Sequence, residues 1–157
     1  MVEIRQARVE DADAIAAMTR NFNKEEGGAG RIETVQIHEL CFSDRPFYRA
    51  LVADDGATLV GYALIMPYFD MMPCAWCSYM EDLYVIPMRR NQGIGWLLIA
   101  AVAKMAVAEG LNNLYWHALP ANTGARRFYA STGAVEGTAI PLALAGDALR
   151  TLAAEAA

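Results

Sequence analysis

Apolar and polar residues alternate through residues 2–7, the two-residue period of a strand that buries one face. After Asp11, an acid suited to cap a helix, the period lengthens: Ile15, Met18 and Phe22 recur three and four positions apart and share one helical face. Gly27-Gly28-Ala29-Gly30 interrupts that stripe, and a second helix is expected over residues 33–41. Two β-rich runs, 49–53 and 58–66, flank Asp54-Asp55-Gly56, which is hairpin turn chemistry. A long strand over 75–86 leads to a helix over 93–109, with Ile94, Leu97, Leu98, Ala101, Val102 and Met105 on its buried stripe and Gly110 as its stop. The rest reads as a strand at 113–118, a short helix at 123–132 ended by Gly133, a strand at 137–144 and an Ala-rich helix from Gly146.

That order, β-α-α-β-β-β-α-β-α-β plus a C-terminal helix, predicts an α/β (α+β) architecture whose sheet begins with antiparallel pairing. No internal repeat, linker or low-complexity tract divides the pattern, so a single domain over residues 1–157 is expected. At 55% hydrophobic content such a chain can bury a sizeable core. A net charge of −5 and a pI near 5.0 count against a nucleic-acid footprint, which needs clustered Lys and Arg, and suit a cationic substrate. Met1-Val2-Glu3-Ile4-Arg5 lacks the basic and apolar regions of a secretory signal. The apolar run from Trp96 to Ala108 is broken by Lys104 and is too short to span a bilayer, so the expectation is a cytoplasmic protein with no membrane partner. Three cysteines do not make a disulfide framework. Cys74 and Cys77 have redox- or zinc-like spacing, but with no second pair and no nearby histidine no metal is expected.

The most informative stretch runs from Tyr79 to Gly95, where a β-rich run meets a glycine-containing turn that opens an apolar helix. The first N–H groups of a helix have no intrahelical partner and sit at the positive end of its dipole, so phosphate binds there. Gly93 and Gly95 let a pyrophosphate approach the main chain, and Arg89 or Arg90 can add charge-assisted hydrogen bonds. Arg90-x-x-Gly93-x-Gly95 is not a dinucleotide fingerprint, because Leu98 stands where its third glycine belongs, and no Gly-Lys-Ser/Thr of a P-loop follows. The pattern resembles the acetyl-CoA pyrophosphate loop of the GNAT superfamily of N-acetyltransferases; the alternative is an ordinary glycine-rich turn. A second motif, from Asn122 through Phe128-Tyr129 to Gly133-Ala134, resembles the family's pantetheine-side loop and helix, and the element order resembles the GNAT fold over essentially the whole chain. Tyr79-Met80-Glu81-Asp82-Leu83-Tyr84-Val85 and the tail from Ile140 are most similar to the spermidine/spermine (diamine) acetyltransferase-like branch.

This resemblance implies a mostly antiparallel central sheet, acetyl-CoA as cofactor and a homodimer. It implies a pyrophosphate site at Arg89, Arg90, Asn91, Gln92, Gly93, Ile94, Gly95 and Trp96. A bulge in the family's long strand would bare backbone N–H groups around Leu83, Tyr84 and Val85 for the pantetheine and thioester, with Asn122, Gly124, Ala125 and Phe128 against the pantetheine arm.

Acetyl transfer to an amine needs a neutral nucleophile and a proton for the departing thiolate. An alkylamine of pKa about 10.4 leaves only roughly one molecule in two thousand unprotonated at neutral pH, so a base is required. Glu81 is the candidate, as a carboxylate on a strand otherwise apolar enough to be central. Asp82 points the other way if the strand is regular, and a bulge would change that assignment. Tyr129, a phenol still protonated at pH 7, is the candidate acid for the thiolate. Glu25 and Glu26 lie where related polyamine enzymes place substrate contacts. Trp76 can add to an aromatic wall with Tyr68 and Phe69, and His117 ends a strand whose edge, the resemblance implies, faces the cofactor side, where it can touch substrate. The expected reaction is direct acetylation of a small diamine, polyamine or amino-acid-like amine. Protein N-terminal or lysine acetylation stays open, as does a non-catalytic acyl-CoA-binding module.

Overall fold

A computed structural model describes residues 1–156 and divides them into two units, Met1–Leu119 and the segment from Pro120 onward. In the first unit β1 (Glu3–Gln6) is followed by a 3-10 turn at Val9–Asp11, α1 (Ala12–Glu25) and α2 (Thr34–Phe42). Three longer strands follow, β2 (Arg49–Asp54), β3 (Leu59–Asp70) and β4 (Ala75–Val85). A 3-10 turn at Pro87–Arg89 then leads into α3 (Ile94–Ala108) and the short β5 (Leu114–Tyr115). The second unit holds α4 (Thr123–Ser131) and α5 (Gly146–Ala154).

The sheet order is β1-β2-β3-β4-β5, antiparallel through β4 and parallel between β4 and β5. The β2–β3 hairpin turns where the sequence predicts: Asp54 accepts from the Gly56 N–H, and Asp55 accepts from the N–H groups of Ala57 and Thr58. Val52, Tyr62, Leu64 and Tyr84 share a cluster with Ile15, Met18 and Ile37, so α1 and α2 cover one face. Ile15 and Ile37 are fully buried, each stabilising the fold by about 1.5–3 kcal/mol relative to exposure. α3 covers the opposite face, where a Cβ on Gly61 would lie 2.7 Å from the Tyr84 carbonyl oxygen and 3.2 Å from Leu98 Cδ1. Only glycine fits so close a helix–sheet approach.

Several local expectations change. Asp11 does not cap α1 with its side chain; Oδ2 accepts from the Arg8 N–H at 2.7 Å and pairs with Arg5, because the turn preceding α1 brings β1's arginine within reach. On α3, Leu97 is exposed while Ile99 and Ala106 join Ile94, Leu98 and Val102 in the interior. An almost wholly apolar helix leaves its buried stripe to be chosen by the sheet it meets. The strand expected at 113–118 pairs only at Leu114 and Tyr115. Residues 137–144 form no strand; Ile140 and Leu142 are 81% and 92% exposed, and Pro141 offers no N–H to a ladder. Alternating side chains make a strand only where a partner edge accepts them.

Candidate active site

β4 is the element that organises the site. Its ladder with β3 runs Leu64 opposite Asp82 and Ile65 opposite Met80, so Glu81 is the extra residue of a β-bulge. The bulge reverses the alternation: Tyr79 on one side of it and Asp82 and Tyr84 on the other all project toward the α1/α2 face. The expectation that Asp82 points away from the functional face holds only for a regular strand and is corrected here. Glu81 is exposed, whereas Asp82 is half-buried and accepts a 2.8 Å hydrogen bond from the fully buried Tyr62 hydroxyl. Burial pushes the Asp82 carboxyl above the ordinary carboxylate range; the Tyr62 bond opposes this and the neighbouring Glu81 charge adds to it. The Tyr48 phenol is also pushed up, first by burial and then by the charges of Glu81 and Asp82, which places it within electrostatic reach of both acids. The sequence names Asp82 and allows that a bulge would turn it; it does not single out Tyr48, which no local signal marks.

β5 pairs with β4 only at Ser78 and Tyr79, so among the described residues the far edge of Met80–Val85 has no neighbouring strand. Leu83, Tyr84 and Val85 lie on this stretch, with Tyr84 and Val85 buried. The strand then runs through Pro87–Arg89 into the loop. Asn91 and Gly93 take left-handed conformations at φ 59° and 79°, and Gly93 is the N-cap of α3. Gly93 has no side chain with which to cap this helix end, and a Cβ added to it would meet nothing within 4 Å. The helix's first N–H groups thus face an open approach, with Ile94 buried beneath and Trp96 49% exposed beside it.

The two arginines are held differently. Arg89 pairs with Asp55 of the β2–β3 turn at 2.5 Å and with Gln92 Oε1 at 3.2 Å. Arg90 donates from Nε to the Val85 carbonyl at 2.8 Å and from Nη2 to Glu25 Oε2 at 2.6 Å, and lies 5.4 Å from the Tyr84 ring centroid. The Tyr84 hydroxyl donates to the other Glu25 oxygen at 2.9 Å, and its phenol is pushed up to about 12, by burial first and then by Glu25. Glu25 therefore faces the loop arginine, and Glu26 follows as the C-cap of α1.

His117 Nδ1 contacts the Tyr79 hydroxyl, and Tyr68 stacks edge-on against Tyr79 and Tyr115 at 6.3 and 6.0 Å. Trp76 lies opposite Phe69, one position out of register with the Tyr68–Cys77 pair, and so occupies the other face of the sheet. The structure thus gathers Tyr68, Tyr79 and His117 but separates Trp76 from them. In the second unit Asn122 caps α4, its Oδ1 accepting from the Ala125 N–H at 3.0 Å, with Gly124 in the first turn. Phe128 and Tyr129 follow with their rings 5.1 Å apart.

Comparison with known proteins places the chain in a family and a fold. Residues 15–134 match the acetyltransferase (GNAT) family. The thialysine N-epsilon-acetyltransferase of Mus musculus is 30% identical, the match covering 96% of each chain. Among solved structures, an integron cassette protein from the mobile metagenome of V. cholerae superposes with a TM-score of 0.81 at 23% identity over 97% of each chain. An aminoglycoside N-acetyltransferase in complex with CoA superposes with a TM-score of 0.76 at 18% identity, covering 92% of this chain and 95% of that one.

Proposed function

The chain belongs to the acetyltransferase (GNAT) family, and from that premise we propose that it acetylates the primary amine of a small diamine, polyamine or amino-acid-like molecule by direct attack in a ternary complex. The observation that carries this reading is the bulge at Glu81, which sets an exposed carboxylate on the same strand as an edge with no strand neighbour, just before an uncapped helix N-terminus. The relative named for thialysine acetylation supports an amine acceptor.

Acetyl-CoA fits the residues present: the open approach over Gly93, the first N–H groups of α3 and Arg90 suit its pyrophosphate, with Arg89, Asn91, Gln92, Ile94, Gly95 and Trp96 forming the rest of the loop. Leu83, Tyr84 and Val85 offer a strand edge to the pantetheine, and the loop at Asn122, Gly124, Ala125 and Phe128 is assigned to the same arm. Bound there, the cofactor supplies an activated acetyl thioester.

Glu81 takes the proton from the substrate ammonium, directly or through water, and leaves a neutral amine able to attack. Asp82, fixed by Tyr62, orients the amine from the same bulge. Tyr129 would give its hydroxyl proton to the departing sulfur as the C–S bond breaks, and the second proton shed by the nitrogen as the C–N bond forms would restore the phenol. Glu25, Glu26 and His117 supply acceptor contacts, while Trp76, on the other face of the sheet, is left out of the acceptor site. The whole chain acts as one acetyltransferase domain, working as a cytoplasmic homodimer.

A panel of amines followed by acetyl-CoA-dependent CoA release tests the reading. A diamine is expected to exceed its length-matched monoamine in kcat/KM, and the advantage is expected to shrink in Glu26→Gln. Because partly exposed charge pairs are worth about 0–1 kcal/mol, the preference is modest and weakens with salt. A panel in which no small amine is acetylated, while a peptide amine is, would replace this reading with protein acetylation.

A further inference from the structure

Glu25 occupies a position that its own helix disfavours. It is the last residue of α1, with Glu26 as C-cap, and a carboxylate at a helix C-terminus sits at the negative end of the dipole. What offsets that is distant in sequence: Arg90 Nη2 at 2.6 Å and the Tyr84 hydroxyl at 2.9 Å. Arg90 in turn has three attachments, and two of them, the Val85 carbonyl and the Tyr84 ring, come from β4 and its end. Those two keep the guanidinium aimed whatever its third partner is. The contact with Glu25 is the exchangeable one, since the Arg90 and Glu25 side chains remain 42% and 36% exposed.

We propose that Glu25 is an intramolecular competitor for the cofactor pyrophosphate: its carboxylate holds Arg90 in the empty enzyme, and a phosphate oxygen replaces it when CoA binds. This rests on the reading of Arg90 to Trp96 as the pyrophosphate loop. Tyr84 still holds one Glu25 oxygen after the exchange, so the carboxylate stays at the end of α1 with its second oxygen released to meet an acceptor ammonium. Cofactor binding thereby prepares acceptor recognition, and the cofactor binds first.

The test is calorimetry of CoA and of pantetheine, which lacks the pyrophosphate, on the parent, Glu25→Gln and Arg90→Gln. Glu25→Gln keeps the shape and removes the competing charge. It is expected to tighten CoA about threefold at low salt, as a partly exposed like-charge contact allows, with the gain fading at high salt and pantetheine unchanged. CoA affinity that is unchanged or weaker in Glu25→Gln, or an equal gain for pantetheine, overturns the competition. Arg90→Gln separates the two ideas: it is expected to weaken CoA, and if it does so while Glu25→Gln gains nothing, the loop assignment stands and only the competition falls. If Arg90→Gln leaves CoA affinity untouched, the pyrophosphate assignment falls and the competition with it.

Discussion

At the scale of single residues the two acids at the bulge differ in their surroundings, and the roles proposed for them differ with it. Glu81 is exposed, and Asp82 is held by Tyr62. General acid–base groups contribute about a hundredfold to ten-thousandfold, so Glu81→Gln and Tyr129→Phe are each expected to lower kcat by at least about a hundredfold with little change in CoA affinity. Normal turnover in either folded variant would remove that residue from its role. Asp82 makes a separate prediction about stability. Its folded-state carboxyl binds a proton more tightly than the ordinary 3.8 of an unfolded chain, so the folded state carries the extra proton between that value and its own. Stability from this group is greatest below about pH 3.8 and falls as pH rises through the folded value. Asp82→Asn keeps an acceptor for the Tyr62 hydroxyl and is expected to raise the neutral-pH melting temperature, by an amount that vanishes in acid. An Asp82→Asn variant that melts lower than the parent at pH 7 would contradict that sign.

Among the elements, the β4–loop–α3 unit carries both the proposed base and the proposed cofactor loop. Its geometry depends on Gly93, whose φ of 79° favours glycine although its Cβ direction is open. Gly93→Ala is therefore expected to cost about 1 kcal/mol through backbone strain and to weaken CoA more than it weakens the fold. Gly61→Ala makes the contrast, because a Cβ 2.7 Å from a backbone carbonyl forces α3 or β4 to shift. It is expected to be the more destabilising of the two in urea denaturation, and the reverse order would show that the helix–sheet contact can relax.

For the whole molecule the open question is assembly. Ile140, Leu142 and Leu144 present apolar side chains at alternate positions and are exposed, an arrangement suited to pairing with a second copy. Sedimentation of the parent is expected to give a dimer and Leu142→Asp a monomer with unchanged far-UV circular dichroism. A parent that sediments as a monomer at micromolar concentration would end the homodimer proposal.

Short-range chemistry made much of this protein legible from its sequence. The β2–β3 turn follows from Asp-Asp-Gly, the start of α3 from Gly93, and the sheet-then-helix order from periods of two and of three to four. Each depends on residues within one turn of one another, so no distant partner is needed to settle it. The bulge is different, because whether Glu81 or Asp82 faces the helices depends on how β4 registers against β3, a strand that carries its own preferences. The pairing of Glu25 with Arg90 joins residues 65 positions apart, and no local pattern records it. The strand expected at residues 137–144 has the right alternation, yet it pairs with no strand among the described residues. Tertiary structure decided these points because a strand's face and a charge's partner are properties of two segments together, and the sequence displays each segment alone.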